Sequence, residues 1–145
     1  MENISKHITF KEATVTNSGI LNLPNEKQLI AMKILAKEVF EPLREHFATP
    51  IKINSMFRSA MVNKAIGGSE TSQHCANNGA AVDLDGLGTL TNKMIFDYIK
   101  DNLEFDQLIW EAGTDENPNW VHVSYKLTKN RKQVLRMKNK KYTNY

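Results

Sequence analysis

The sequence predicts an α+β domain in which a small, mainly antiparallel sheet packs against helices. The first observation is a long helical pattern of apolar residues over 25–47. The second is a set of short segments with the alternation or apolar content of strands, separated by polar loops. The order of helix, strand, short helix, strand, helix, strand and strand is typical of a small α+β domain. A chain of 145 residues is long enough to bury one core.

The first 24 residues are polar and irregular, with turn signals at 17–19. We expect them to form an arm that packs onto the core. The apolar residues expected to make this contact are Ile20, Leu21 and Leu23.

A long helix is predicted to follow, from Asn25 to about Phe47. Asn25 and Gln28 have the spacing of a capping pair. Pro42 has no N–H donor, so it is expected to kink or end the helix near Phe40.

Four strands and two further helices are predicted after the long helix. The strands are expected at 51–55, 80–85, 106–111 and 120–125. The helices are expected at 60–66, where Gly67 and Gly68 follow, and at 91–102, where Thr91 is a cap. The segments 69–79 and 112–119 are predicted to be loops.

The composition is that of an ordinary globular protein, with 41% hydrophobic and 24% charged residues. No apolar segment has the length of a membrane span, and the N-terminal residues have no apolar signal core. Synthesis in the cytoplasm without a signal peptide is therefore expected. A single cysteine, Cys75, excludes an internal disulfide. It is expected to be a half-buried loop side chain, and metal ligation is the alternative.

The net charge of +3 is unevenly distributed. Residues 126–145 contain eight Lys or Arg and no acid, whereas the preceding residues contain 11 basic and 16 acidic side chains. The sequence therefore predicts a domain over 1–125 and a basic C-terminal tail over 126–145. Such a tail favours attraction to a polyanion, such as an anionic wall polymer or a membrane surface. The alternative is a solvated terminus without a partner. Dedicated nucleic-acid binding is not expected, because few aromatic residues accompany the basic ones.

Two histidines and an aspartate suggest a metal site at the sheet. His74 lies in the polar loop, Asp83 lies in a short apolar strand, and His122 lies within a strand pattern. Two imidazoles and a carboxylate are a common ligand set for a catalytic zinc ion. From the residues alone, His122 could equally be a hydrogen-bonded core residue and Asp83 a turn former.

Several ordered blocks of the chain resemble the zinc D-Ala-D-Ala carboxypeptidase family, which also includes cell-wall endopeptidases that cut L-Ala–D-Glu. The blocks are Ser55–Ser59, Val62–Ser69, Ser72–His74, Gly79–Asp83, Phe105–Glu111 and Trp120–Ser124. The resemblance extends over about residues 7–125, and the ordered set of blocks is what makes it specific.

The resemblance implies a role for each matching position. His74, Asp83 and His122 match the ligands of one zinc ion. Arg58 matches an arginine that steadies a substrate carboxylate or carbonyl oxygen, and Glu111 matches the catalytic acid and base. A further set is expected to contact substrate or to shape its loop: Ser72, Gln73 and Trp120.

Three departures from the family pattern leave alternatives open. The spacing from His74 to Asp83 is two residues longer than usual, so Asp85 is a second candidate ligand. Met56 replaces a usual glycine, so the turn before Arg58 is expected to differ. The loop 112–119 resembles an insertion and contains two rival bases, Asp115 and Glu116. Glu111 is preferred, because a residue that ends a strand is held more rigidly than a loop residue.

The implied function is a zinc-dependent peptidase that hydrolyses a bond in peptidoglycan stem peptides, as a phage-type endolysin does. A D,D-carboxypeptidase that removes terminal D-Ala is one alternative. A non-catalytic wall-binding or virion module is an alternative of another class. A monomer is expected, which acts on the wall after release from an infected host or after export by another route.

Overall fold

The computed structural model describes residues 2–145 and leaves Met1 undescribed. The helices are α1 (Phe10–Ala13), α2 (Glu26–Leu35), α3 (Glu41–Phe47), α4 (Ala60–Ala65) and α5 (Asn92–Asn102). A π-helical segment, Ala36–Phe40, joins α2 to α3, and a 3-10 turn covers Gln73–Cys75. The strands are β1 (Ile51–Ser55), β2 (Ala80–Gly86), β3 (Gln107–Glu111), β4 (Trp120–Tyr125), β5 (Gln133–Lys138) and β6 (Lys141–Asn144). None of the helices in this described range combines the length and apolar content needed to cross a bilayer.

The strands form one sheet in the order β1-β2-β4-β3-β5-β6. Neighbouring strands are antiparallel except for β3 and β5, which run parallel. One face of the sheet packs against α2 and α5, and its side chains are fully buried there, as Val82 and Val121 are. This architecture confirms the predicted α+β fold with a mainly antiparallel sheet.

The long helical segment begins where the capping pair predicts. The Asn25 side chain accepts a hydrogen bond from the backbone of Gln28, and the Gln28 side chain accepts one from the backbone of Asn25. The helical segment neither ends near Phe40 nor stops at Pro42, but continues to Phe47. The π-helical turn immediately before Pro42 re-routes the backbone hydrogen bonds, and the proline then occupies the first turn of α3, where its missing N–H is tolerated.

Of the three residues predicted to pack the N-terminal arm onto the core, Ile20 is half-buried and the two leucines are exposed. Leu21 and Leu23 are 76% and 53% exposed, whereas Ile4 and Ile8 are buried in the core. The reason is Asn22 between the two leucines. Its side chain points inward, donates to the carbonyls of two neighbouring segments and accepts from a backbone N–H. In extended backbone the two adjacent side chains then point outward.

The basic C-terminal segment is part of the sheet, which corrects the predicted tail over 126–145. β5 pairs with β3 and β6 pairs with β5. Asn139 and Lys140 both have positive φ angles, as a tight two-residue hairpin turn requires. Within β5, Leu135 and Met137 share one face, and Val134 on the other face packs against the core, so these apolar residues explain why the segment forms a strand despite its charge.

A buried aspartate ties this C-terminal segment to the loop that contains His74. Asp106 is fully buried and accepts hydrogen bonds from the Arg131 guanidinium at 3.0 and 2.7 Å and from the Arg131 backbone. The Gln73 amide also donates to it at 3.0 Å. Asp106 therefore fixes the loop next to His74 against the segment that leads into β5.

Replacing Arg131 with Ala is expected to lower the free energy of unfolding by about 2–3 kcal/mol, because Asp106 would remain buried with an incompletely compensated charge. The matched control is Lys132→Ala. Lys132 pairs with Glu104 at 3.6 Å on the surface, and such a pair is worth at most about 1 kcal/mol. Urea denaturation of both variants measures the difference, and equal losses would contradict this account of Asp106.

Candidate metal centre and cleft

A cleft of about 690 Å³ lies on the sheet face that the helices leave open. Strands β2, β4 and β3 form its floor, and the loop over 67–74 forms one wall. The β5–β6 pair forms the opposite wall. All three predicted metal ligands, together with Arg58 and Glu111, line this one cleft.

The sheet register brings the two strand residues of the predicted cluster together. Asp83 on β2 lies directly opposite His122 on β4, so both side chains project from the same face. Asp83 Oδ1 is 3.0 Å from His122 Nδ1, and Asp83 Oδ2 is 3.4 Å from His74 Nε2. One ligand atom from each of the three residues lies within 4.8 Å of the others. Side chains in this arrangement can reach a single ion.

His74 is held in a ligand-ready orientation by its backbone surroundings. Its side chain is 2% exposed, and Nδ1 donates to the Met56 carbonyl at 2.7 Å. Because Nδ1 carries the proton, Nε2 has a free lone pair, and this lone pair is directed at Asp83. In metal-ligating histidines, a hydrogen bond from the other ring nitrogen sets the tautomer in the same way. The Met56 side chain is itself buried, and Arg58 N donates to the His74 carbonyl at 2.9 Å. Met56, which departs from the family pattern, thus orients His74 through its backbone carbonyl.

The electrostatics favour the protonation states that metal ligands need. Burial lowers the pKa of His74 and outweighs the opposing effect of Asp83, so the imidazole is neutral. Burial alone would raise the pKa of Asp83, but the neighbouring imidazoles of His122 and His74 outweigh it and hold that pKa well below its usual range. A neutral imidazole beside an ionised carboxylate fits a divalent cation such as zinc.

Glu111 is buried beside the cluster, at the end of β3. It pairs with Trp120, two positions along the strand pair from His122 and therefore on the same face of the sheet. The side chain is 5% exposed, and its Oε2 has no hydrogen-bond partner among residues 2–145. Burial, with a smaller contribution from the charge of Asp83, raises the pKa of Glu111 to about 7 against the lowering effect of His122. A group with this pKa can both take and release a proton near neutral pH.

Arg58 forms the cationic end of the cleft. Within the described chain no acidic side chain pairs with it, and its buried Nε has no hydrogen-bond partner. Gly68 approaches the guanidinium so closely that an added Cβ would crowd both Arg58 and Asn63. The guanidinium is therefore positioned by packing at the edge of the cleft.

The rival candidates occupy other positions. Asp85 accepts hydrogen bonds from the side chains of Asn92 at 2.7 Å and Asn54 at 3.2 Å. Asp115 pairs with Arg136 on the surface, and Glu116 is exposed. In the described part of the chain, these acids and Cys75 are not among the residues that line the cleft or form the cluster.

The three predicted substrate contacts all line the cleft, but two have structural partners. The Ser72 hydroxyl accepts from the His74 backbone at 3.2 Å, and Gln73 donates to Asp106. Trp120 lines the cleft beside Glu111 and is half-buried. Three cleft residues lie in the segment interpreted as a tail: Leu135, Met137 and Tyr142. The spacing of Leu135 and Met137, two residues apart, is the sequence signal that could have predicted a strand with these residues on one face.

A sheet that presents a His–Asp–His cluster next to a buried glutamate is an arrangement suited to metal-assisted hydrolysis. The family model of peptidase M15 matches residues 4–124, so the chain belongs to the peptidase M15 family. Membership makes the protein a metallopeptidase, in a family whose members depend on zinc. No curated protein sequence matches the chain.

Proposed function

We propose that the protein is a zinc-dependent peptidase that hydrolyses a bond in peptidoglycan stem peptides, as a phage-type L-Ala–D-Glu endopeptidase. The observation that carries this proposal is the single cleft that contains the His74, Asp83 and His122 cluster together with the buried Glu111. The Arg58 guanidinium in the same cleft suits stem peptides, because they contain several carboxylates.

The residues of the cleft have separate roles in the proposed hydrolysis. A bound zinc ion would polarise the scissile carbonyl and lower the pKa of water toward ~7. Glu111 takes a proton from the attacking water and delivers it to the leaving amine nitrogen. Arg58 holds a substrate carboxylate or carbonyl oxygen with its planar guanidinium and orients the peptide across the cluster.

Digestion of purified peptidoglycan by zinc-loaded protein tests the bond that is cut. We expect new D-Glu amino termini, identified by mass spectrometry of the released fragments. The matched control is Glu111→Gln, which should produce none. Release of D-Ala alone would show that the protein is a D,D-carboxypeptidase and not an endopeptidase. The absence of both products, with retained wall binding, would favour a non-catalytic module.

A further inference from the structure

The β5–β6 hairpin directs three side chains into the cleft, and none of them lies in the segment that the family model matches. We call Leu135, Met137 and Tyr142 the hairpin wall. All three line the same cleft as the metal cluster. The match to the peptidase family ends at residue 124, so it assigns these residues no role.

The register places the hairpin wall in direct continuation of the candidate catalytic groups. Leu135 lies opposite Ile109, and Ile109 lies opposite His122. Met137 lies opposite Glu111 on one side and opposite Tyr142 on the other. Neighbouring strands are about 4.8 Å apart, so Met137 is one strand away from the proposed base.

The cleft consequently has two ends of different chemistry. The end near Arg58 is cationic and is lined by polar loop residues such as Ser69 and Ser72. The end at the hairpin wall is apolar and adjoins Glu111, whose charge would repel an anionic group. Partial burial, together with the charges of Glu111 and Asp83, also raises the pKa of Tyr142, as expected for a phenol that faces these carboxylates.

We propose that the hairpin wall is a substrate subsite, which binds the peptide residue on the far side of the scissile bond from Arg58 and selects an uncharged, apolar side chain over an acidic one. This inference rests on the proposed peptidase function and specifies how that cleft discriminates between peptides. The exposed Tyr142, at 59%, would cover the bound residue at the rim of the cleft.

The test compares two wall variants with a control on the same hairpin. Met137→Ala and Tyr142→Ala remove wall contacts, and both residues are accessible enough for the variants to fold. Thr143→Ala is the control, because Thr143 follows Tyr142 on β6 and projects from the opposite face. Steady-state kinetics use a synthetic stem peptide with Ala at the selected position and a second peptide with Asp there.

We expect wild-type protein to prefer the Ala peptide. Each wall variant should raise KM for it about 10-fold with little change in kcat, which corresponds to the loss of most of one apolar contact. Zinc content and the Thr143→Ala kinetics should match the wild type. Wall variants within twofold of wild type on both peptides would overturn the subsite while leaving the peptidase intact. Wild-type protein that cleaves neither peptide and no peptidoglycan would instead overturn the proposed function, and the subsite with it.

Discussion

Replacing Glu111 with Gln is expected to lower peptide hydrolysis by about 10²–10⁴-fold while zinc remains bound, because the variant loses the group that moves the proton but keeps all three candidate ligands. The amide has nearly the same shape as the carboxylate, so the cleft is preserved. Zinc content by atomic emission and turnover of a stem peptide measure the two effects. Loss of zinc together with activity would contradict the assignment of Glu111 as base.

The same substitution is expected to stabilise the metal-free protein at alkaline pH. The folded-state pKa of Glu111 is about 7, against an ordinary value of 4.5. The folded protein therefore holds this proton more tightly than the unfolded chain, and the carboxyl group's contribution to stability is lost as the pH rises through 7. At pH 8 the buried carboxylate costs about 3 kcal/mol relative to a neutral side chain.

The stability difference between Glu111→Gln and wild type should thus increase between pH 4.5 and 8. Urea denaturation in the presence of chelator measures it, and the exposed Glu116→Gln variant is the control that should show no such increase. Added zinc should reduce the difference, because a nearby cation favours the ionised carboxylate. A difference that does not depend on pH would show that Glu111 titrates normally.

These two effects of one residue connect the fold to the function. Glu111 is buried by the strands around it, and this burial raises its pKa to the range in which it can exchange protons. In the metal-free protein, the same burial lowers the free energy of unfolding when Glu111 is ionised. The sequence supports the position of Glu111 at the end of a strand, but the pairing of β5 with β3 beside it is not specified by local sequence patterns.

The parts of the fold that local patterns determine were predictable. The capping pair Asn25 and Gln28 and the apolar spacing after it predicted the long helix, and the strands β1 to β4 follow from alternation and apolar content. The candidate cluster was predictable from the family blocks, and the register of Asp83 against His122 agrees with it. These features depend on residues close in sequence or on a recognisable motif.

The parts that depend on distant contacts were not predictable in this way. β5 pairs with β3 in parallel, and no local signal specifies a parallel partner more than 20 residues away. The charge of the segment 126–145 concealed its strand pattern, although Arg131 and Arg136 each have an acidic partner in the folded chain. Asn22 likewise finds its partners only in the folded state, and for that reason Leu21 and Leu23 face outward.

Asp83→Asn is expected to weaken zinc binding by at least about 100-fold and to lower hydrolysis at subsaturating zinc by a similar factor. Groups that hydrogen-bond to a metal ligand without touching the metal are each worth about 10–100-fold in affinity, and a charged ligand should contribute at least as much. The amide keeps the size of the side chain but removes the negative charge that both imidazoles face. Competition with a chromogenic chelator measures the zinc affinity directly.

Asp85→Asn is the matched control, since Asp85 is two residues away on the same strand and was the rival ligand. Its carboxylate is engaged by Asn92 and Asn54 and lies outside the cluster. This variant should keep zinc affinity within about threefold of wild type and lose stability instead, because the buried amide of Asn92 loses its charged acceptor. The reverse result, in which Asp85→Asn loses zinc and Asp83→Asn retains it, would transfer the ligand role to Asp85. It would also require β2 to pair with β4 in a register different from the one that places Asp83 opposite His122.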